Sequence, residues 1–367
     1  QPALHTMLTS LGRLYERGVA VNWSALHQGQ ARRKIVVPTY PFQRQRYWLE
    51  TKPQAAQATL RPLVERMLRV ARRNETIFEQ TISTQRLPYL ADHHVYGVVV
   101  VPGAFHLALA LSGADLLFDG AACVVEDVIF PQALALTTDG ERLLQLIVTA
   151  DSDTEAPSSF EIVSMASGSG GNEQLHATGR LARLTTPLPP TVDLAALRAQ
   201  CTQPVAVDDL YASIAALHVT LGPTFQWCHT LWTAGTNEIL AQFVRPQELR
   251  HLAGYPLFPS LVDACFQMLA AGALANGQRP TTTPLPFALE RLTWYQPALQ
   301  EELWVHAMRR SVPADETSPH DALWDITICT AHGAVVAVLH GFQMREVPAS
   351  AITGSQVRNE WLHTLTW

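Results

Sequence analysis

Val101-Pro102-Gly103-Ala104-Phe105-His106-Leu107-Ala108-Leu109 opens a stretch, reaching about Leu117, that is apolar nearly all round. A helix with so little polar face belongs inside a core. A second stretch of this kind follows much later: Phe258-Pro259-Ser260-Leu261-Val262-Asp263-Ala264-Cys265-Phe266-Gln267, continuing to about Leu274. Both begin at a proline, a residue tolerated in the first helical turn but not in a helix interior. Segments rich in β-branched residues or alternating in polarity surround each helix. Around the first they are Val95 to Val101, Leu143 to Val148, Phe160 to Met165 and Gly179 to Leu184. Around the second they lie near Leu231 and at Ile239 to Val244, Leu303 to Met308, Trp324 to Thr330 and Val335 to Phe342. A shorter helix is expected near Val207 to Leu217. This weak internal repeat predicts a duplicated α+β unit, in which one long antiparallel sheet wraps two buried helices.

The rest of the chain fits around that repeat. Residues 1–50 read as a different unit: a helix ending at Leu11 to Tyr15, an extended piece at Val19 to Trp23, then Pro-Thr-Tyr-Pro-Phe-Gln-Arg-Gln-Arg-Tyr-Trp from Pro38 to Trp48. Its prolines, aromatics and arginine stems suit an extended strip lying along another surface. Residues 51–60 and the proline-bearing run from Thr185 to Pro204 read as linkers, and Ser167 to Asn172 as a hairpin-type loop. The expected divisions are therefore 1–58, 59–186, 187–204, 205–350 and 351–367. The chain opens on Gln1 and reads as a piece of something larger.

Composition narrows the function. Of the 367 residues, 47% are apolar and 16% charged, enough for a large core. A net charge of −6 argues against nucleic acid or an anionic membrane as partner, since both need a basic surface. No basic-then-apolar start marks a signal peptide, and no apolar run reaches the roughly 20 residues of a membrane span. The five cysteines are odd in number and form no close pair, which points to buried free thiols in a reducing cytoplasm.

Two polar sites interrupt the apolar pattern. One is Asp92-His93-His94, beside the valine-rich segment. The other is Asp263, with Gln267 on the same helix face four residues on. Burial raises a carboxylate pKa, and Gln267 can donate a hydrogen bond to Asp263. An imidazole base near a protonated carboxylic acid suits β-elimination. The residues alone leave other roles open. Asp263 could be one member of a buried pair and His93 a turn residue. His94, His106, His218 and His229 are rival bases, and His106, which matches Asp263 in the repeat, also reads as a packed core histidine.

Four motifs in order change that balance. His93, Gly97 and Pro102 spell HxxxGxxxxP; Gly222-Pro223-Thr224-Phe225-Gln226 spells GPxFQ; Asp263 and Gln267 spell DxxxQ; Leu285-Pro286-Phe287 follows. Together they resemble the dehydratase domain of modular polyketide synthases. Residues 11–50 are similar to the linker that follows the acyltransferase of such synthases, and Trp361 to Trp367 to the run that follows the dehydratase. The resemblance implies a double hot-dog fold with the active site between its halves. It implies that His93 takes the C2 proton of a 3-hydroxyacyl thioester, that Asp263 protonates the departing hydroxyl, and that Gln267 orients Asp263. The Gly103 N–H, just after Pro102 at the start of the first buried helix, would polarise the thioester carbonyl. The substrate would arrive on the phosphopantetheine of an acyl carrier protein, with no metal or redox cofactor. The acyltransferase would lie upstream and the domain would form a homodimer in the cytoplasm.

The chain also departs from that pattern. The family often has a tyrosine just before the GP pair and a glycine three residues ahead of that tyrosine, where Leu221 and His218 stand here. Leu221 cannot hydrogen-bond a leaving hydroxyl. His93 could also remove a γ-proton from an enoyl thioester, and if His218 faced the tunnel it could reprotonate the dienolate at C2, shifting an α,β double bond to β,γ. An enoyl isomerase on the same site is thus one alternative, and a non-catalytic dimerising scaffold is another.

Overall fold

The computed structural model describes residues 2–31, 59–70, 73–137, 140–151, 156–166, 173–185, 191–277, 283–298, 300–310 and 322–347. The chain divides into a unit of residues 1–54 and one of residues 55–367. The first contains helices α1 (Pro2–Glu16) and α2 (Trp23–Leu26). The extended piece expected at Val19 to Trp23 is not a strand. Asn22 accepts the backbone N–H of Ala25 at 3.0 Å and so caps a helix that begins at Trp23. The Pro38–Trp48 strip, the Ser167–Asn172 loop and the 351–367 tail lie outside the described residues.

The larger unit is a double hot-dog. Its first half runs β1 (Arg66–Val70), β2 (Glu75–Ile82), β3 (His93–Val95), β4 (Val98–Val101), α3 (Gly103–Leu117), β5 (Cys123–Ile129), β6 (Leu134–Ala135), β7 (Arg142–Thr149), β8 (Ser158–Ala166) and β9 (Gln174–Arg183). Next come α4 (Leu194–Gln200), β10 (Gln203–Pro204), α5 (Val207–Ala216), β11 (Val219–Leu221), β12 (Cys228–Ala234), β13 (Glu238–Val244), α6 (Pro259–Gln267), α7 (Ala271–Ala275), β14 (Pro284–Trp294), β15 (Glu302–Arg309), β16 (Leu323–Thr330) and β17 (Val335–Glu346). Among the described residues one antiparallel sheet has the order β1-β2-β7-β8-β9-β5-β14-β17-β16-β15-β13-β12-β10, and β11-β3-β4-β6 form a small second sheet.

The two buried helices pack against each other inside this wrap. Every residue of α3 from Ala104 to Ala114 is buried, as its apolar circumference requires. Gly113 lets α3 approach the sheet closely: a Cβ there would lie 2.4 Å from Leu146 Cδ2. The second helix is shorter than its apolar run. It ends at Gln267, passes through a 3₁₀ turn at Met268–Ala270 and resumes as α7. One continuous core joins Phe78, Leu107 and Leu146 of the first half to Leu261, Leu292 and Phe342 of the second.

Two other expectations are corrected, and two strands were not foreseen. The Val95–Val101 run is a hairpin, because Tyr96 and Gly97 both take positive φ (51° and 78°) and make a two-residue turn between β3 and β4. The expected linker at 187–204 contains α4, capped by Asp193, whose Leu194 and Leu197 pack on the outer face of the second half. Arg198 of α4 lies over the stacked rings of Trp232 and Trp304, 4.9 and 5.3 Å from their centroids. Strands β5 and β14, which form the seam between halves, carry no clean strand signal. Pro284 and Pro286 sit at the start of β14, before its pairing with β5 begins at Ala288, so they interrupt no ladder there.

Candidate active site

The β3–β4 hairpin sets the first functional group. His93 lies at the start of β3, buried, while His94 alternates to the opposite face. The hairpin folds the Val100 carbonyl back onto His93 Nδ1 at 2.7 Å. A carbonyl only accepts, so Nδ1 carries a proton and Nε2 is the nitrogen available as a base. Phe225 packs against the ring, with centroids 5.1 Å apart. Phe225 is held in turn by the GPxFQ segment, which is clamped to Asp92. Asp92 Oδ2 accepts the Thr224 hydroxyl at 2.7 Å and the Thr224 N–H at 3.0 Å, and the Asp92 carbonyl accepts the Gly222 N–H at 2.7 Å. A Cβ at Gly222 would fall 2.3 Å from the Asp92 carboxyl, so this contact requires glycine. The pairing of β11 with β3, Leu221 opposite His93, completes the joint between halves.

The second functional group comes from α6. Asp263 is 7% exposed, and its Oδ2 accepts the Gln267 side-chain N–H at 2.7 Å across one helical turn. Burial pushes its pKa above the ordinary carboxylate value, against opposing pulls from His93 and Gln267. His93 Nε2 stands 4.0 Å from Asp263 Oδ2. That is too long for a direct hydrogen bond, and it leaves the two groups facing each other across a gap.

Both groups line a cavity of about 770 Å³. Pro102, Gly103, Leu221 and Gln267 line it too, so these four expected site residues meet His93 and Asp263. As the first residue of α3, Gly103 has an N–H with no partner inside the helix. Pro286, of the Leu285-Pro286-Phe287 motif, closes on Gly103 so tightly that a Cβ there would lie 3.0 Å from its own.

His218 does not join them. It is exposed, stacks on Tyr96 at 5.2 Å, and is not part of the cavity wall. Its φ of 59° is left-handed, which gives a physical reason for a glycine to be favoured at this place. His218 is therefore not placed to reprotonate a dienolate, and of the two residues on which the isomerase reading rested only His93 faces the cavity. Exposed His229 is likewise absent from the wall. Of the rival histidines only His106 lines the cavity. Beside it stands His176 of β9, which no sequence pattern singled out. Among the described residues no three His, Cys, Asp or Glu side chains cluster as metal ligands would.

The chain is similar to known polyketide synthase dehydratase domains. The family described as "Polyketide synthase dehydratase domain" matches residues 61–165, and that described as "Polyketide synthase dehydratase N-terminal domain" matches residues 189–353. The dehydratase domain from the CurJ module of curacin polyketide synthase is similar in structure, with a TM-score of 0.70 and 32% identity over 79% of this chain and 98% of that one. The dehydratase domain from the CurF module gives a TM-score of 0.69 at 25% identity, over 78% and 99%. Among curated proteins, the spectinabilin polyketide synthase system protein NorA' of Streptomyces orinoci is 27% identical over 98% of this chain. The pikromycin polyketide synthase component PikAII of Streptomyces venezuelae is 31% identical over 73% of it. The chain spans only 10% and 7% of the length of those two relatives, which are far larger proteins.

Proposed function

This chain belongs to the polyketide synthase dehydratase family, and from that premise we propose that His93 and Asp263 carry out syn- or anti-elimination of water from a 3-hydroxyacyl thioester between them. The observation that carries the reading is the facing pair: a base nitrogen, freed by the hydrogen bond at Nδ1, 4.0 Å from a buried carboxyl held toward its acid form. His93 Nε2 removes a proton from C2. Charge that develops on the thioester oxygen is stabilised by the Gly103 N–H. Asp263 gives its proton to the C3 hydroxyl, which leaves as water, and Gln267 holds the carboxyl in orientation. Proton transfers of this kind each contribute about 10²–10⁴ in rate. Leu221 offers the leaving group no hydrogen bond, so orientation of the hydroxyl rests on Asp263.

The substrate's carrier follows from the family resemblance: an acyl carrier protein presents the thioester on its phosphopantetheine, and no further cofactor takes part. Neighbouring synthase domains, an acyltransferase among them, precede the dehydratase, and two copies associate as a homodimer. The five cysteines are free, in keeping with a reducing cytoplasm. The test is incubation with 3-hydroxyacyl and 2-enoyl carrier-protein thioesters, followed by product analysis. Loss of water from the first and no double-bond shift in the second is the expected outcome. Recovery of the 3-hydroxyacyl substrate intact, from folded protein, would sink the assignment.

A further inference from the structure

His106 occupies the place in α3 that Asp263 occupies in α6, each four residues past its proline. It is 3% exposed, its Nδ1 is buried without a hydrogen-bond partner, and among the described residues no hydrogen bond reaches its ring. The ring is nonetheless well placed. It lies flat on His176, with centroids 5.6 Å apart and planes 6° from parallel. His176 is itself pinned from both sides. Its Nδ1 donates to the Gln132 carbonyl at 3.0 Å, so the neutral ring's Nε2, 2.8 Å from Ser164 Oγ, accepts the Ser164 hydroxyl proton. Burial holds both imidazoles below their ordinary pKa and therefore neutral.

A neutral imidazole has one donor and one acceptor, and a buried polar group left without a partner is costly. Here the cost is incurred in the wall of a cavity that otherwise presents mainly apolar side chains such as Val95, Leu217, Leu269 and Phe287. A half-turn about χ2 keeps the ring plane and exchanges each nitrogen with a ring carbon, Nδ1 with Cδ2 and Nε2 with Cε1, so a nitrogen can be turned to either edge of the ring to meet a bound molecule. His106 stands three residues after Gly103 on the same helix face, one turn deeper from the N–H assigned to the thioester oxygen. Among the described residues no hydrogen bond or ion pair links it to Asp263, whose partners are His93 and Gln267.

We propose that His106, held flat by His176, is a specificity-determining residue that hydrogen-bonds an oxygen substituent on the acyl chain beyond C3. The preferred substrate class is a chain that keeps a hydroxyl or keto oxygen from earlier elongation, in preference to a fully reduced alkyl chain. This rests on the dehydratase reading above. An oxygen brought into that wall replaces its lost water contacts with His106, whereas a methylene leaves the imidazole unpaired. One such hydrogen bond corresponds to a preference of about tenfold.

The test compares three 3-hydroxyacyl N-acetylcysteamine thioesters of equal length: one alkyl, one with a further hydroxyl at C5 and one with it at C7. Both kcat/KM and affinity by calorimetry are measured for the wild-type chain, His106→Phe and His106→Gln. The wild type is expected to favour one oxygenated chain by about tenfold. His106→Phe keeps the stack and removes the nitrogens. It should abolish that preference while retaining turnover of the alkyl chain. His106→Gln, which restores a donor and an acceptor, should recover part of the preference, and it serves as the decisive variant if His106→Phe does not fold. Equal kcat/KM for all three substrates in the wild type, or an undiminished preference in His106→Phe, overturns the subsite and leaves the dehydratase reading standing. Dehydration of none of them, with the affinity order still dependent on His106, overturns the dehydratase reading and leaves the subsite standing.

Discussion

The two buried helices carry a titratable side chain at the same place, and burial drives both toward neutrality. It does so in opposite directions: the Asp263 carboxyl is pushed up and the His106 imidazole down. Their surroundings separate their roles. Asp263 has Gln267 one turn on and His93 across the cavity, contributed by the other half of the molecule. His106 has Ala110 one turn on and a stacked imidazole whose nitrogens are already engaged. A neutral carboxylic acid facing a base can give up a proton and take it back. An imidazole held well below its ordinary pKa is a weak base, better suited to hydrogen-bonding than to taking a proton. In the proposed reading the same fold position serves proton transfer in one half and recognition in the other, and the difference lies in what the opposite half supplies.

The strongest way to break this comparison is to remove each helix's polar group in turn. Asp263→Asn and His93→Phe should each lower dehydration by about 10²–10⁴, with an unchanged circular dichroism spectrum. His106→Phe should leave turnover of a plain alkyl substrate within a few-fold of wild type. Equal losses in Asp263→Asn and His106→Phe would erase the distinction between the halves.

The joint that brings the halves together comes next. Gly222→Ala drives a Cβ into the Asp92 carboxyl, and Asp92→Ala leaves the Thr224 N–H without its acceptor. Each should cost about 1–3 kcal/mol in urea denaturation. Activity should fall as well, because Phe225 and Leu221 reach His93 through that clamp.

A smaller effect is carried by pH, and its sign differs between the two helices. The folded pKa of Asp263 is raised, so its contribution to stability is present below the unfolded carboxylate value and is lost as pH rises through the folded one. The folded pKa of His106 is lowered, so its contribution is present above the unfolded imidazole value and is lost as pH falls through the folded one. Thermal denaturation across pH should show Asp263→Asn gaining on wild type toward alkaline pH and His106→Phe gaining toward acid. Activity should likewise decline as Asp263 loses its proton on the alkaline side. Gln267→Leu, which removes a hydrogen bond that favours the carboxylate, should move that decline to higher pH.

The smallest effect on turnover is expected at His218. It is exposed and outside the cavity, so His218→Gly should change turnover by about twofold at most, while glycine's freedom at the left-handed φ should raise stability by about 1 kcal/mol. Deuterium exchange at C2 of an enoyl thioester, unchanged between wild type and variant, would sharpen the assignment of His93 as the group that handles that proton.

Much of this was legible in the linear pattern because it is local. The buried helices declare themselves by an apolar circumference, and the Asp263–Gln267 pair by its spacing. The Gly97 turn is equally local, since two residues at positive φ suffice to make it, although the valine run after it masked the hairpin. Other features were not legible, because their partners lie far along the chain. Asp92 reads only as the polar residue before His93 until Thr224 is brought beside it. His176 is one polar residue in an alternating strand until β9 places it under α3. His218 looked like a candidate for the tunnel because only its proximity to Gly222 was visible; its left-handed backbone, at the end of α5, turns it outward.

By itself, then, the amino-acid sequence determined which segments are buried, where the chain turns and which short-range pairs share a face, because these depend on side-chain hydrophobicity and on spacings of two to four residues. Tertiary structure alone decided the seam of β5 and β14, the tautomer of His93, the separation of His93 from Asp263, and the pairing of His106 with His176. Each of these depends on strand register and on contact between halves. Register is settled by the sum of packing across the whole sheet, so no local run of residues encodes it.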